Sequence, residues 1–386
     1  MKKVRIGVIG LGNIGQYHAS KLAEGDIQDG VLAAVVDIRP GFAKKWCEEH
    51  APNTQSFEDT EAMFAAGSCD AVIVATPPPL HPPQAIQAFE KGLHVLIEKP
   101  AGICARDILI MNAAAETSGK VFSIQFPHRY HPAFQKAKSL ITTGELGTIQ
   151  RIQWTTTQWY RTQDYYNSGG WRGTWKGEGG GVLVNQCPHD LDILVWLCGM
   201  PARMRAFCRF GQWHDIEVED EVTAYLEYPS GASGVFICST GEYPGTNRLE
   251  IVGDGGTITI VNNQHLEFRK LSESLRTHCR TATGFKKPEE SLIPLSVPVI
   301  EMENANNVNN FVQAIINGTP LIAPGQEGLK SIELSNAMQL STWLDSTVDV
   351  PVDADRYAAE LEERMRKSMI RKPSTTRTLD VKDSWR

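Results

Sequence analysis

Three groups of residues have the types and spacing to do chemistry. The first is Gly10-Leu11-Gly12-Asn13-Ile14-Gly15, a G-x-G-x-x-G between a short apolar run and a helix-compatible stretch. Gly10 permits a tight turn, Gly12 lets the backbone approach a pyrophosphate, and Gly15 lets helix and strand pack closely. The amides that open the helix, Asn13 and Ile14 among them, face such a phosphate with the positive end of the dipole. Asp37 closes the next strand about twenty residues on, where a carboxylate takes the adenosine ribose hydroxyls. The plainer alternative, a glycine turn with a surface aspartate, leaves this order of features unexplained. A carboxylate here repels a 2′-phosphate, so the expected cofactor is NAD. Arg39, two residues later, offsets part of that repulsion and keeps NADP open.

The second group follows two later apolar runs. Thr76-Pro77-Pro78-Pro79-Leu80-His81 comes after Ala71–Ala75, and Glu98-Lys99-Pro100 after His94–Ile97. Ligands of open parallel sheets lie beyond the carboxyl ends of the strands, so Thr76, Pro77, His81, Glu98 and Lys99 are expected to line the cofactor cleft. For the proline run alone, a rigid turn is the bland reading. The third group is Cys187-Pro188-His189 with Asp192. It has the look of a metal site, but no second cysteine or histidine pair completes a four-ligand set, and no metal is expected.

Positioning these groups requires a specific alternation of elements. Strands are predicted at Val4–Ile9, Val31–Val36, Ala71–Ala75, His94–Ile97 and Val121–Gln125. Helices are predicted between them at 16–23, Phe42–His50, Pro83–Glu90 and 107–116. Short apolar runs alternating with helices imply right-handed crossovers and a doubly wound parallel sheet. After about residue 126 the pattern changes. A helix at Pro132–Thr142 leads into segments of period two at Ile149–Thr156, 222–228, 234–240, 249–252 and 257–261. Turn signals such as Pro229-Ser230-Gly231 separate them, as in a meandering antiparallel sheet. Two helices near 307–316 and 326–343 follow, then a charged amphipathic stretch from Asp353 that runs into Lys372-Pro373-Ser374. The expected fold class is therefore α/β: a Rossmann domain over 1–126, then an α+β domain over 127–386 with a large open, mainly antiparallel sheet and a charged tail.

Composition narrows the function classes. A chain of 386 residues exceeds the ~250–300 at which one core stops growing, so two domains are expected. Apolar (41%) and charged (22%) contents are those of a globular protein, and the net charge of −7 gives no basic field for nucleic acid. No run of ~18 apolar residues predicts a membrane span. Met1-Lys2-Lys3-Val4-Arg5 imitates the start of a leader, but Gly10, Gly12 and Asn13 break the apolar run behind it. Eight scattered cysteines without a CxxC pair point to reduced thiols and a cytoplasmic protein.

Taken together, the glycine turn, the Thr-Pro loop, Glu98-Lys99-Pro100, and Gly179-Gly180-Gly181-Val182-Leu183 running on to His189 and Asp192 resemble the Gfo/Idh/MocA family of sugar and polyol oxidoreductases. Arg248 through Thr257 is also similar to that family. The resemblance spans nearly the whole chain apart from the tail. It implies that Lys99 and His189 form the active site. That suits the chemistry, because removing hydride from an alcohol carbon requires loss of the hydroxyl proton. A histidine near its ordinary pKa of ~6.5 is a suitable base, and an ammonium at the same oxygen stabilises alkoxide character. Taken singly, a solvated lysine and a backbone-bonded helical histidine are the bland readings. One departure stands out: many family members carry aspartate four residues before the histidine, and this chain has Asn185. An amide can orient substrate or His189 but cannot relay a proton. Pro188 must either open the histidine's helix or kink it.

Aromatic faces beside hydrogen-bonding groups suit pyranose rings. On those grounds Arg161, Trp171, Arg172 and Asn185 are candidate substrate residues, with Gln125, Arg129 and Tyr130 after the Val121–Gln125 strand and His128 beside them; Lys99 and His189 contact the same substrate. The tryptophans serve equally well as core or subunit interface. Gly-Trp-Arg with Asn185-Gln186-Cys187-Pro188-His189 resembles the branch holding levoglucosan and glucoside 3-dehydrogenases and some inositol dehydrogenases. The resemblance implies oxidation of a ring hydroxyl to a ketone and a homodimer or homotetramer. Two rival functions use the same residues: redox-assisted glycoside cleavage that retains NAD, and a non-catalytic dinucleotide sensor.

Overall fold

The computed structural model describes residues 3–295, 297–298 and 304–369. The chain forms two compact units, Met1–Pro127 with Glu303–Ile332, and His128–Met302 with Glu333–Arg386. The first unit begins with β1 (Val4–Ile9), α1 (Asn13–Glu24), β2 (Gly30–Val36) and α2 (Phe42–His50). It continues through β3 (Gln55–Phe57), α3 (Thr60–Ala65), β4 (Ala71–Val74), α4 (His81–Glu90), β5 (His94–Ile97), α5 (Ala105–Ser118) and β6 (Phe122–Ile124). All strand pairs are parallel, in the order β3-β2-β1-β4-β5-β6. This is the doubly wound order whose direction reverses between β1 and β4. Helices cover both faces, which is why Ile6, Val8, Ile73 and Val95 are all fully buried. Each such side chain contributes ~1.5–3 kcal/mol of burial. The sequence reading lacks β3: its three residues lie at the sheet edge and none is buried.

The second unit opens with α6 (Pro132–Thr142), β7 (Ile149–Thr156), α7 (Gln163–Asn167), α8 (Trp175–Glu178) and α9 (Pro188–Cys198). There follow β8 (Arg203–Phe210), β9 (Glu219–Glu227), β10 (Ser233–Ser239), β11 (Asn247–Gly253), β12 (Gly256–Val261), β13 (His265–Leu271), α10 (Leu275–Thr281) and β14 (Glu290–Ile293). The strands join one nine-stranded sheet in the order β14-β13-β12-β11-β7-β10-β9-β8, with a short strand beyond β8. Among the described strands of this sheet only β10 and β7 pair in parallel, so the sheet is not a pure meander. β8 adds to the expected strands. Its inward residues Met204, Ala206 and Cys208 alternate with Arg203, Arg205, Phe207 and Arg209, and the arginines mask the pattern. Val222, Ala224, Leu226 and Phe236 point into the core, while Tyr225 and Phe207 stand exposed on the other face.

The chain then returns to the first unit with α11 (Ala305–Asn317) and the start of α12 (Gly328–Trp343). This departs from a simple division at residue 126. Ala305, Val308, Phe311 and Val312 enter the core that holds Val4, Ile6 and Val8, and Asn307 Nδ2 donates to the Ile124 carbonyl. The remainder of α12, β15 (Val348–Asp349) and α13 (Ala354–Lys367) belong to the second unit. The amphipathic stretch from Asp353 is thus α13, capped by the Asp353 side chain. The tail segment around Lys372-Pro373-Ser374 lies outside the described residues. Among the described residues no helix is long and apolar enough to cross a membrane.

Candidate active site

In the first unit the candidate residues follow successive strand ends. The turn after β1 is built by steric exclusion. Gly10 has φ 89°, and a Cβ there would lie 2.9 Å from the Ala75 carbonyl oxygen. A Cβ on Gly15 would lie 1.9 Å from the Gly10 carbonyl oxygen. Above Gly12, by contrast, a Cβ would meet nothing within 4 Å. Helix α1 starts there with no side-chain cap, leaving Asn13 and Ile14 at its open end. Open space over an uncapped helix end is what a pyrophosphate requires, so these residues fit the dinucleotide.

Asp37 follows β2 and is held from four directions. Its carboxylate accepts from the Leu11 amide (2.9 Å), the Arg39 amide (3.0 Å), Arg39 Nε (2.7 Å) and Arg39 Nη2 (2.9 Å). Burial pushes this carboxyl up, but the hydrogen bonds from Arg39 and Leu11 outweigh it and leave it below its ordinary value. Arg39 also stacks on Phe42, 3.5 Å from the ring centroid. Its guanidinium therefore completes the Asp37 site rather than standing apart to offset it.

Three cofactor candidates are engaged with the protein itself. The buried His81 ring lies 2.7 Å from both the Pro100 and Thr76 carbonyl oxygens, tying the two strand-end loops together. Burial lowers its pKa despite those bonds. Thr76 Oγ1 donates to Gln84 (2.6 Å), and Pro77 precedes a short 3-10 turn. Glu98 Oε1 is 2.7 Å from His18 Nε2 on α1, and its Oε2 accepts from the Lys99 amide at 3.3 Å. Lys99 itself, half-buried, follows β5. Gln125, after β6, donates through Nε2 to the Asn304 carbonyl at 3.2 Å.

The second unit gathers its candidates around the start of α9. Pro188 opens that helix without kinking it, so His189 sits in its first turn. The buried His189 ring stacks on His128, with centroids 4.8 Å apart and planes 26° apart. Arg129 binds Asp192 on the same helix through two hydrogen bonds, Nε to Oδ2 (2.9 Å) and Nη2 to Oδ1 (2.5 Å). Both partners are buried, so this pair anchors the 127–130 turn to α9. Asp190 accepts from Trp159 Nε1 at 2.7 Å and Thr156 Oγ1 at 3.3 Å. Trp159 is therefore a core residue of this unit. Tyr130 is half-buried, and burial raises its hydroxyl pKa, which makes it a poor base. Cys187 lies in the apolar core with its thiol pushed up by burial; with Asp192 committed to Arg129, neither is disposed as a metal ligand.

A cluster of aromatic and basic residues meets Gln186, two residues before α9. Arg172 lies over Tyr165 (4.5 Å) and Trp171 (4.3 Å) and donates to the Tyr165 hydroxyl at 2.6 Å. Gln186 Nε2 donates to that hydroxyl at 3.2 Å, and Arg161 lies 5.2 Å from the same ring. Sequence reasoning missed the two acids that hold the Gly179–Gly181 turn. Glu178 accepts from Asn185 Nδ2. Glu219 takes the Gly181 and Leu183 amides (2.8 and 3.3 Å) on one oxygen and Gln339 Nε2 (3.1 Å) on the other. Burial pushes the Glu219 carboxyl up to about 7. Its signal in the sequence is weak: one acid in a strand, some forty residues from the turn it supports.

Comparison with known proteins agrees with both units. A family model described as an oxidoreductase family with an NAD-binding Rossmann fold matches residues 4–126. The Gfo/Idh/MocA C-terminal domain matches residues 134–259. The scyllo-inositol 2-dehydrogenase (NAD(+)) of Bacillus subtilis is 28% identical over 70% of this chain and 77% of its own length. The D-glucoside 3-dehydrogenase of Escherichia coli is 29% identical over 59% of this chain and 68% of its own. Among solved structures, the WlbA dehydrogenase of Chromobacterium violaceum, in complex with NADH and UDP-GlcNAcA, superposes with a TM-score of 0.77 at 28% identity. It covers 92% of this chain and 97% of that one. With an NAD-binding Rossmann unit followed by the family's C-terminal domain, the chain belongs to the Gfo/Idh/MocA family of oxidoreductases.

Proposed function

We propose that this protein oxidises a secondary hydroxyl on the ring of a sugar or cyclic polyol to a ketone, with NAD as cofactor. The observation that carries the reading is His189 in the first turn of α9, stacked on His128, on a chain whose other unit has the open glycine turn at Gly12. The relatives named above, dehydrogenases of inositol and of glucosides, support the substrate class. His189 takes the hydroxyl proton as general base. Lys99 stabilises the developing alkoxide and fixes the hydroxyl. Bound NAD supplies the hydride acceptor. Asn185 orients a neighbouring hydroxyl, and Trp171, Arg172 and Arg161 form the polar-aromatic surround.

Adding inositols and glucosides to protein with NAD should give net NADH, read by absorbance. No NADH with any ring polyol, or cleavage of a glycoside without net NADH, would overturn this function. The same reading assigns a dimer or tetramer built on the outer sheet face that carries Phe207 and Tyr225. A light-scattering mass of one chain at micromolar concentration would refute that assembly. All eight cysteines being free thiols supports a cytoplasmic location.

A further inference from the structure

Glu178 and Asn185 form a contact that the function described so far does not use. Glu178 ends α8 and is only 1% exposed. Gly179 then takes φ 74°, the chain reverses, and Asn185 returns to it seven residues later. Asn185 Nδ2 donates to Glu178 Oε1, and Glu178 Oε2 accepts from the Gly173 amide at 2.5 Å. A carboxylate can only accept. With Glu178 ionised, the Asn185 carboxamide is oriented by chemistry: its NH2 faces Glu178 and its carbonyl oxygen turns away.

We propose that Glu178 is a positioning residue that makes Asn185 present a carbonyl oxygen, an acceptor, to a substrate hydroxyl. The pair also explains the amide at this position. An aspartate at 185 would set a second carboxylate at hydrogen-bond distance from a buried one, and two such groups cannot both ionise. In this pair the carboxyl group stands at position 178 and the amide at 185. Exchanging the two groups, with an amide at 178 and a carboxylate at 185, keeps one donor facing one acceptor and moves the charge forward. This inference rests on the proposed polyol dehydrogenase reading for its substrate, and on the Glu178–Asn185 contact for its geometry.

A four-member cycle tests it: wild type, Glu178→Gln, Asn185→Asp and the double variant Glu178→Gln/Asn185→Asp. Each is assayed with the best ring polyol and, without substrate, by urea unfolding. Losing a hydrogen bond to a charged group corresponds to about 10- to 100-fold. Glu178→Gln is expected to raise the polyol KM by that factor with kcat within about threefold. Asn185→Asp should lower kcat/KM by at least as much and lower the urea midpoint. The double variant should recover both to within about tenfold of wild type. A double variant no better than Asn185→Asp, or an Asn185→Asp protein equal to wild type in activity and midpoint, would overturn the proposal. If Asn185→Asp does not fold, restored folding in the double variant supports the pairing and continued failure refutes it. If wild type oxidises no polyol, the function reading falls, and the unfolding cycle still decides the pair: coupled midpoints support it, additive ones refute it.

Discussion

Two glycine turns in this molecule each feed a helix, and they differ in what they offer a ligand. The turn at 10–15 is shaped by backbone sterics, with Asp37 on the Leu11 amide: there is no room for a Cβ at Gly15, and open space is left over Gly12. The turn at 179–187 also excludes a Cβ, at Gly181, 1.9 Å from the Glu219 carbonyl oxygen, but its functional groups are set by side chains. Glu219 grips the Gly181 and Leu183 amides, Glu178 grips Asn185, and Arg129 grips Asp192 on the helix that follows. A backbone-built turn offers amides to any ligand with a pyrophosphate. A side-chain-built turn offers specific functional groups, and its precision depends on buried charges that must all be matched. Neither tolerates an added atom, at Gly15 or at Gly181; the second depends on matched charge as well.

The comparison breaks most sharply where the chemistry itself is assigned. His189→Ala and Lys99→Met should each lower kcat by ~10²–10⁴ while leaving NAD affinity nearly intact. Retention of more than about a tenth of kcat by His189→Ala would remove its assignment as base. Next in size is the ion pair of the second unit. Arg129→Ala leaves the buried Asp192 carboxylate without its guanidinium partner, and should cost ~3–5 kcal/mol in a urea titration. A cost under about 1 kcal/mol would show that charge matching is not what holds α9.

In the backbone-built turn, Gly15→Ala forces a Cβ against the Gly10 carbonyl. Overpacking of ~1–3 kcal/mol should weaken NAD binding by about 5- to 150-fold and leave the second unit's unfolding unchanged. Unaltered NAD titration would contradict the steric account. Asp37→Ala acts nearby but electrostatically: it should narrow the preference for NAD over NADP, and a wild-type protein that prefers NADP would refute the role. The last effect concerns Glu219. Its folded carboxyl titrates at about 7, above the ordinary 4.5, so its contribution is complete below pH 4.5 and is lost as pH rises through 7. Stability should thus decline across that window in wild type and decline less in Glu219→Gln, by thermal melts at several pH values.

The same contrast explains what the sequence reveals. Gly10, Gly12, Gly15 and Asp37 act through local backbone geometry, and local geometry has a spacing that can be read. Strands fully buried on both faces are legible for the same reason, as the agreement at Val4–Ile9 and His94–Ile97 shows. Pro188 announces the start of α9. The pairing of Glu178 with Asn185 is not legible, because the intervening glycines impose no helical or strand period. Nor are Arg129–Asp192 and Glu219–Gly181 legible, since their partners stand 63 and 38 residues apart. His81 and Glu98 follow strand ends as a ligand-facing residue does, yet they bond to Pro100, Thr76 and His18. Position along a strand locates a side chain without saying what it binds.

The return of α11 to the first unit sets a timetable for the newborn chain. The face formed by Val4, Ile6 and Val8 lacks Ala305, Val308, Phe311 and Val312 until about 180 further residues have been made. At ~5–20 residues per second the ribosome leaves that patch uncovered for on the order of ten to forty seconds, while the nine-stranded sheet is assembled. A gene fragment stopped at Pro127 should accordingly aggregate. Fusing residues 303–332 to it through a flexible linker should return a soluble nucleotide-binding module, and equal solubility of the two fragments would disprove the dependence. Screening of excised cofactor modules from this chain therefore has to begin from a spliced gene, not a truncated one.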